Sequence, residues 1–308
     1  MSEFEVIAIV VQTIRAGTPL VFAAIGELIV EKAGVLNLGI EGMMLVGAVF
    51  GFIGAVSTGN LLIGAVTGMA AAMVMALIFG VLTLSLLSNQ VATGLALTIF
   101  GVGLSAFVGQ PYIGKPITGL QAMPIPFLVD MPVLGPLLFN HDPLIYFSFV
   151  LLACVIWFLY FSRAGLILRA VGEAHDAAHA LGYSVVGIRY LAVLFGGALA
   201  GLGGAYLSLA YTPQWAENMS AGRGWIALAL VVFASWRPAR LFLGAWIFGG
   251  ITIVGLHVQA AGWAVSSHLL ATLPYFATIL VLVLISRDAV KLRLNAPASL
   301  GKPFHQPA

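Results

Sequence analysis

The chain has 308 residues, of which 61% are hydrophobic and 8% charged, with a net charge of +2 and a mean hydropathy of +1.08. A water-soluble domain carries roughly a quarter charged residues, so this composition excludes one. In lipid the backbone must satisfy its own hydrogen bonds, as helices or closed barrels do. The apolar runs are longer than barrel strands and lack their in-out alternation, which selects helices. The basic residues lie between apolar runs and form no stripe, which argues against nucleic acid as a partner. The single Cys154 has no internal disulfide partner and reads as a small buried hydrophobe. The acidic start Met1-Ser2-Glu3-Phe4-Glu5 is unlike a signal peptide, so no cleaved segment is expected.

In chain order, residues 4–14 are too short to cross a bilayer and read as interfacial, giving an N-terminal segment of residues 1–15. Apolar runs follow near 16–30, 34–57, 60–87, 90–110, 144–161, 188–211, 223–236, 241–260 and 269–286. The expected fold is all-α and polytopic, with about nine transmembrane helices (eight to ten) in a domain of residues 16–290, and a cytoplasmic tail of 291–308. If the loop 162–189 is cytoplasmic, ten Lys and Arg residues fall inside, and only Arg15, Lys115 and Arg223 fall outside. That agrees with the retention of basic residues on the cytoplasmic side. It places the Pro-rich connection 110–143 outside.

Three glycine pairs at four-residue spacing, Gly47/Gly51, Gly64/Gly68 and Gly197/Gly201, predict close helix crossings. The run Gly109 to Lys115 imitates a phosphate-binding loop, but Pro116 stands where Ser or Thr is required and no strand precedes it. Any ATP used must therefore bind another subunit. His175 and His179 are four apart without an intervening glutamate, and the reading is no metal and no cofactor. No nucleophile elbow is present, so nothing in the sequence supports an enzyme.

Two segments stand out. In the first, residues 26–45, three carboxylates (Glu27, Glu31, Glu41) and Asn37 lie among Gly34, Gly39 and Gly42. Glu31 and Lys32 read as a cytoplasmic turn. Asn37 and Glu41, four apart and on one face if helical, are costly at the start of an apolar run. They should face protein or a water-filled cavity, with gating and structural pairing both open. In the second, Glu173 to Leu181 reads as a short helix with acidic residues in its first turn and Gly182 as its stop. A helix this short needs support from the body or a docked partner.

At these segments the chain resembles the branched-chain amino-acid, sugar and nucleoside permease family of ABC importers. The run EKAGVLNLGIEGMML is similar to the nucleoside-type and simple-sugar-type permeases that work with a basic-membrane-protein-type binding lipoprotein. Asn89-Gln90-Val91 with Gly94, the stretch 221–229 and Leu273-Pro274-Tyr275 fit the same pattern, and the tail beyond Leu294 has no match. The resemblance implies a permease subunit of an ATP-driven importer in the bacterial cytoplasmic membrane. It implies as partners a second homologous permease, an ABC ATPase and an extracytoplasmic solute-binding protein. It also implies that Glu173, His175, Asp176, Ala177, Ala178, Leu181 and Gly182 couple to the ATPase. Asn37, Glu41, Gly34, Gly39, Gly42, Asn89 and Gln90 are then expected in translocation or gating. Nucleosides or nucleobases are the first substrate reading and simple sugars the second, with a secondary transporter as the alternative class. Tyr211, Gln214, Trp215 and Asn218 are expected on the outer side, with Tyr211 and Trp215 reading as interfacial anchors.

Overall fold

The computed structural model describes residues 3–260, 266–286 and 295–305, and among them the chain is helical with two isolated β-bridges. Helix α1 (Glu3–Lys32) leads through a buried loop to α2 (Ile40–Thr58) and α3 (Leu61–Gly80). A π-helical turn, Val81–Ser85, ends α3, and α4 (Gln90–Gly109) follows. The long connection carries the five-residue α5 (Leu134–Leu138) and leads to α6 (Pro143–Phe161). Helices α7 (Arg163–Glu173) and α8 (His175–Ala180) precede α9 (Val185–Tyr206), which ends in a second π-helical turn, Leu207–Tyr211. Then come α10 (Arg223–Phe233), α11 (Pro238–Ala260) and α12 (Ser267–Ser286).

Among the described residues seven helices, α1, α2, α3, α4, α6, α9 and α11, are long and apolar enough to cross a membrane. The chain is thus a multi-pass membrane protein. Helices α10 and α12 occupy the other two expected stretches, but α10 has 11 residues, about 17 Å at the helical rise. It falls well short of a hydrocarbon core of roughly 30 Å. The segment read as interfacial is not a separate element, because one helix runs unbroken from Glu3 to Lys32.

Helices α1 and α9 form the core of the bundle. They pack on each other, α1 also on α11 and α9 also on α2 and α3. Two glycines mark how tight the α2, α3 and α9 junction is. A Cβ on Gly201 would lie 2.6 Å from the Ala72 side chain and from the Gly68 carbonyl, and one on Gly68 would lie 2.6 Å from the Gly47 carbonyl. The three glycine pairs of the sequence therefore meet one another at a single place. In lipid, where apolar contact with a neighbouring helix gains little over contact with acyl chains, such close approach is what holds helices together.

Cys154 corrects the sequence reading: it is exposed. Helix α6 buries Leu144, Ile145, Ser148, Leu151, Val155 and Leu159 along one stripe, and Cys154 lies outside it. The Pro-rich connection lies over the end of α9, with the Ile117 amide donating to the Pro213 carbonyl (3.1 Å) and Leu120 to Leu209 (2.9 Å).

Substituting Gly204, whose added Cβ would strike the Met44 carbonyl, should destabilise the bundle. Gly103, with open space around it, should tolerate alanine. We expect Gly204→Val to cost about 1–3 kcal/mol, and Gly103→Ala to be neutral or slightly stabilising. Thermal denaturation of the detergent-purified chain checks both, and equal effects would contradict the packing described.

Candidate functional site

The loop between α1 and α2 is irregular, yet Ala33, Gly34, Val35, Asn37 and Gly39 are all buried. Buried backbone without a helix needs substitute partners. Glu27 of α1, 1% exposed, accepts from the Asn37 amide (3.1 Å). Gln90, at the start of α4, accepts from the Leu36 amide (2.8 Å), and Thr98 donates to the Leu38 carbonyl (2.9 Å). Asn37 is not helical: its side chain accepts from the Gly39 amide (2.9 Å) in a local turn, and α2 starts at Ile40. Gly34 has φ +85°, where L side chains rarely fit. Gly42 lies against Leu97 and Thr98 of α4. Asn89 is exposed and caps α4 by accepting from the Ala92 amide (2.9 Å).

A second break, residues 212–222, precedes α10. Glu41, in the first turn of α2 and 4% exposed, reaches across to it. One carboxylate oxygen accepts from the Ser220 hydroxyl (2.5 Å) and the Gly222 amide (2.9 Å), and the other from the Gly224 amide (2.5 Å). Those amides are the free donors at the α10 N-terminus, where helix polarity favours an anion. Glycine at 224 permits the approach, since a Cβ there would lie 2.5 Å from the Glu41 Cα. At the other end of α10, Ser235 and Trp236 take positive φ, and the Trp236 indole donates to Glu31 (2.5 Å). Glu31 is 1% exposed, so it is no solvated turn residue. Two carboxylates, Glu31 and Glu41, thus hold the two ends of α10.

The expected helix over Glu173 to Leu181 is instead two helices meeting at an elbow at Ala174 (φ −147°, ψ 82°). Glu173 ends α7, and α8 begins at His175. Gly182 has φ +87°, as its stop position requires. Asp176, Ala177, Ala180, Leu181 and Tyr183 form an exposed ridge, with Leu181 77% exposed. Ala178 faces inward, packed with Val171, Val185 and Phe304. Phe304 belongs to residues 295–305, which fold back onto the elbow. Its ring meets His175 and His179 edge-on, both at 5.4 Å. Ser299 donates its amide to Gly172 (2.8 Å), and Gly301 donates to Gly34 (3.2 Å). Arg189 of α9, 1% exposed, donates to the Ala33 carbonyl (3.1 Å), the Lys302 carbonyl (3.1 Å) and His175 Nδ1 (3.2 Å). Because a guanidinium only donates, that contact requires a lone pair on Nδ1.

At the opposite end of the bundle a cavity of about 410 Å³ is lined by Arg15, Gln121, Asn140, His141, Asp142 and Tyr211. Tyr211 lies under the Arg223 guanidinium (5.5 Å). Trp215 is 1% exposed and packs with Ala48, Val49 and Phe52, so it is a core residue and no interfacial anchor. Gln214 and Asn218 are exposed. Among the described residues no group of three or more His, Cys, Asp or Glu is placed to hold a metal.

Comparison with known proteins decides the family. The profile described as "Branched-chain amino acid transport system / permease component" matches residues 9–286. The chain belongs to this permease family. It is similar to a putative glucose ABC transporter permease of Haloferax volcanii, with 40% identity covering 96% of each chain. It is 30% identical to the nucleoside ABC transporter permease NupC of Lactococcus lactis subsp. cremoris, over 92% of this chain and 93% of the relative. The guanosine ABC transporter permeases NupQ and NupP of Bacillus subtilis are 30% and 27% identical, over 99% and 80% of this chain and 98% and 73% of theirs. This permease is accordingly an ABC transporter subunit, similar both to a putative glucose permease and to nucleoside permeases.

Several residues of the site were not singled out from the sequence: Trp236, Ser220, Arg189 and Phe304 each act on a partner far away in the chain. In the permease, Glu41→Gln removes the charge and turns an amide N–H₂ toward backbone donors. The expected loss is about 1.5–3 kcal/mol, with impaired transport in proteoliposomes. Unchanged uptake and an unchanged melting profile would contradict the clamp.

The His175 ring is held below its ordinary value of 6.5, first by burial and then by Arg189 of α9, with Lys302 adding to this and Asp176 opposing it. A depressed value means the neutral ring stabilises the packed tail. That stability is present above about pH 6.5 and is lost as pH falls through the depressed value. Amides of residues 299–304 should exchange faster at about pH 5.5 than at about pH 7.5 after correction for intrinsic rates. His175→Gln should remove the dependence, and protection equal at both pH values would exclude it.

Proposed function

We propose that the chain is one of two permease subunits of an ATP-driven importer in the cytoplasmic membrane, carrying nucleosides or nucleobases. The observation that carries the coupling part of this reading is the exposed ridge Asp176, Ala177, Ala180, Leu181 and Tyr183, on a short helix and the turn after it, held by the tail and by α9. A protruding apolar Leu181 beside small alanines suits a groove on an ATPase. The elbow passes movement to the bundle because Gly172 abuts the Lys32 carbonyl of α1 and Gly34. His175, Ala178 and Gly182 act inside this unit, supporting the ridge, while Glu173 joins it to the tail through the Ala298 amide (3.4 Å).

Orientation follows from the basic residues. Lys32, Arg163, Arg169, Arg189, Arg237, Arg240 and Lys302 gather at the elbow end, which the retention rule places in the cytoplasm. The polar cavity around Arg15 and Tyr211 then opens outward, toward a solute-binding protein. Pairing with a homologous permease is supported by NupQ and NupP, two guanosine permeases of one species that both match this chain. Movement of the elbow would rock α1, α2 and α10 together, with the loop 33–39, Gly39, Gly42, Asn89 and Gln90 at the moving joint. Simple sugars are the second substrate reading, favoured by the 40% identity to the putative glucose permease.

Ala177→Glu and Leu181→Glu should abolish solute-stimulated ATP hydrolysis in the reconstituted importer while the permease stays folded. Ala178→Glu should unseat Phe304 and destabilise the chain. Normal ATP-driven uptake by both ridge variants would refute the coupling assignment. Competition between labelled guanosine and glucose for uptake separates the two substrates, and uptake driven by an ion gradient without the ATPase would overturn the importer itself.

A further inference from the structure

At the elbow end, a cavity of about 340 Å³ lies between the end of α1, the end of α6, α7 and the turn joining α10 to α11. Its polar side is formed by Lys32, Arg169 and Arg237, with Glu173 the one carboxylate among the lining residues. Three cations thus face one lining carboxylate, with Glu173 and Glu31 both attracting Lys32. Lys32 donates to the Asn295 carbonyl (2.9 Å), Arg169 lies over the Tyr160 ring (5.7 Å), and the buried Arg169 Nε has no hydrogen-bond partner. Among the described residues none of the three makes a salt bridge. Glu31, the nearest other carboxylate on α1, is engaged by Trp236.

The other side of the cavity is apolar and leads onto the outside of the bundle. Tyr160 and Leu166 line it and are 47% and 60% exposed. Trp157 and Phe161, next to them on α6, are 62% and 76% exposed. Helix α7 buries Gly165, Leu168, Val171 and Gly172 against the protein and leaves Arg163 and Leu166 exposed beside the half-buried Arg169, a cationic and apolar pairing suited to a membrane interface. Unsatisfied guanidinium donors beside an ammonium match a phosphate, and an apolar ramp leading from them matches acyl chains.

We propose that this cavity is a binding site for the phosphate group of an anionic phospholipid, whose acyl chains run along Trp157, Tyr160 and Leu166. A basic pocket between helices at the cytoplasmic interface is suited to such a headgroup. The lipid would join α1, α7 and the α10–α11 turn, and so brace the elbow against the bundle. The inference needs the chain to lie in a membrane with this end at the interface. It is independent of which solute is carried.

The test uses the full chain purified in mild detergent, with native mass spectrometry reading retention of dioleoyl phosphatidylglycerol against dioleoyl phosphatidylcholine. Wild type should retain the anionic lipid at least about tenfold better, and Arg169→Gln/Arg237→Gln should remove that preference. Arg237 is exposed and Arg169 Nε is unpartnered, so the double variant should fold, which size exclusion and thermal denaturation check. If it does not fold, Arg237→Gln alone should still lower the preference, and Arg169→Lys/Arg237→Lys should keep part of it. Equal retention of both lipids by wild type, or an undiminished preference in the folded Gln variants, would overturn the proposal. So would displacement of the lipid by millimolar inorganic phosphate, which would make this a soluble-anion site.

Discussion

A backbone that leaves the helical conformation inside an apolar bundle must find hydrogen-bond partners there, and buried polar side chains of this permease meet that demand and fix the indole that follows α10. Glu27 and Gln90 take the amides of the 33–39 loop, Glu41 takes those at the start of α10, and Glu31 takes the indole of Trp236 beyond its end. Each acceptor is nearly fully buried, between 1% and 5% exposed. Remove any one and a buried donor is stranded at a cost of about 1–3 kcal/mol. The breaks and the polar residues among the apolar runs are therefore one feature seen from two sides.

This arrangement gives α10 an unusual status. With 11 residues it is too short to be anchored by crossing the bilayer, so its position depends on Glu41 from α2 and Glu31 from α1. The same α1 end meets the elbow, where Gly172 abuts the Lys32 carbonyl and the tail amide of Gly301 donates to Gly34. A continuous set of contacts thus runs from the exposed ridge of α8, through Phe304 and Arg189, to the α1–α2 loop and on to α10. In the proposed transport cycle, displacement of the ridge reaches α10 through rigid pieces and hydrogen bonds, with no need for flexible loops.

Much of this was legible in the sequence. The positions of the helices followed from the apolar runs, and the three glycine pairs foretold the α2, α3 and α9 junction, because close packing in lipid depends on small residues at helical spacing. Gly182 declared its left-handed stop. Other points were out of reach for physical reasons. Glu31 beside Lys32 has the composition of a solvated turn, and only Trp236, 205 positions away, makes it a buried acceptor. Ala177 and Ala178 are chemically identical, and which one faces out depends on the docked Phe304. Trp215 has the composition of an interfacial anchor but is enclosed by α2 residues that the sequence does not bring near it. The elbow at Ala174 sits among alanines that favour helix, and the tail packed beside it through Ser299 and Phe304 is too far along the chain for local sequence to announce.

The measurement that bears most directly on this account is a double-mutant cycle between Glu41→Gln and Ser220→Ala, read by reversible unfolding of the purified permease in mixed micelles. Because the Ser220 hydroxyl donates to the Glu41 carboxylate across the two breaks (2.5 Å), the two substitutions should be coupled by about 1 kcal/mol or more. Additive effects would mean that the carboxylate does not clamp α2 to α10, and the account of a jointly held pair of broken helices would fail.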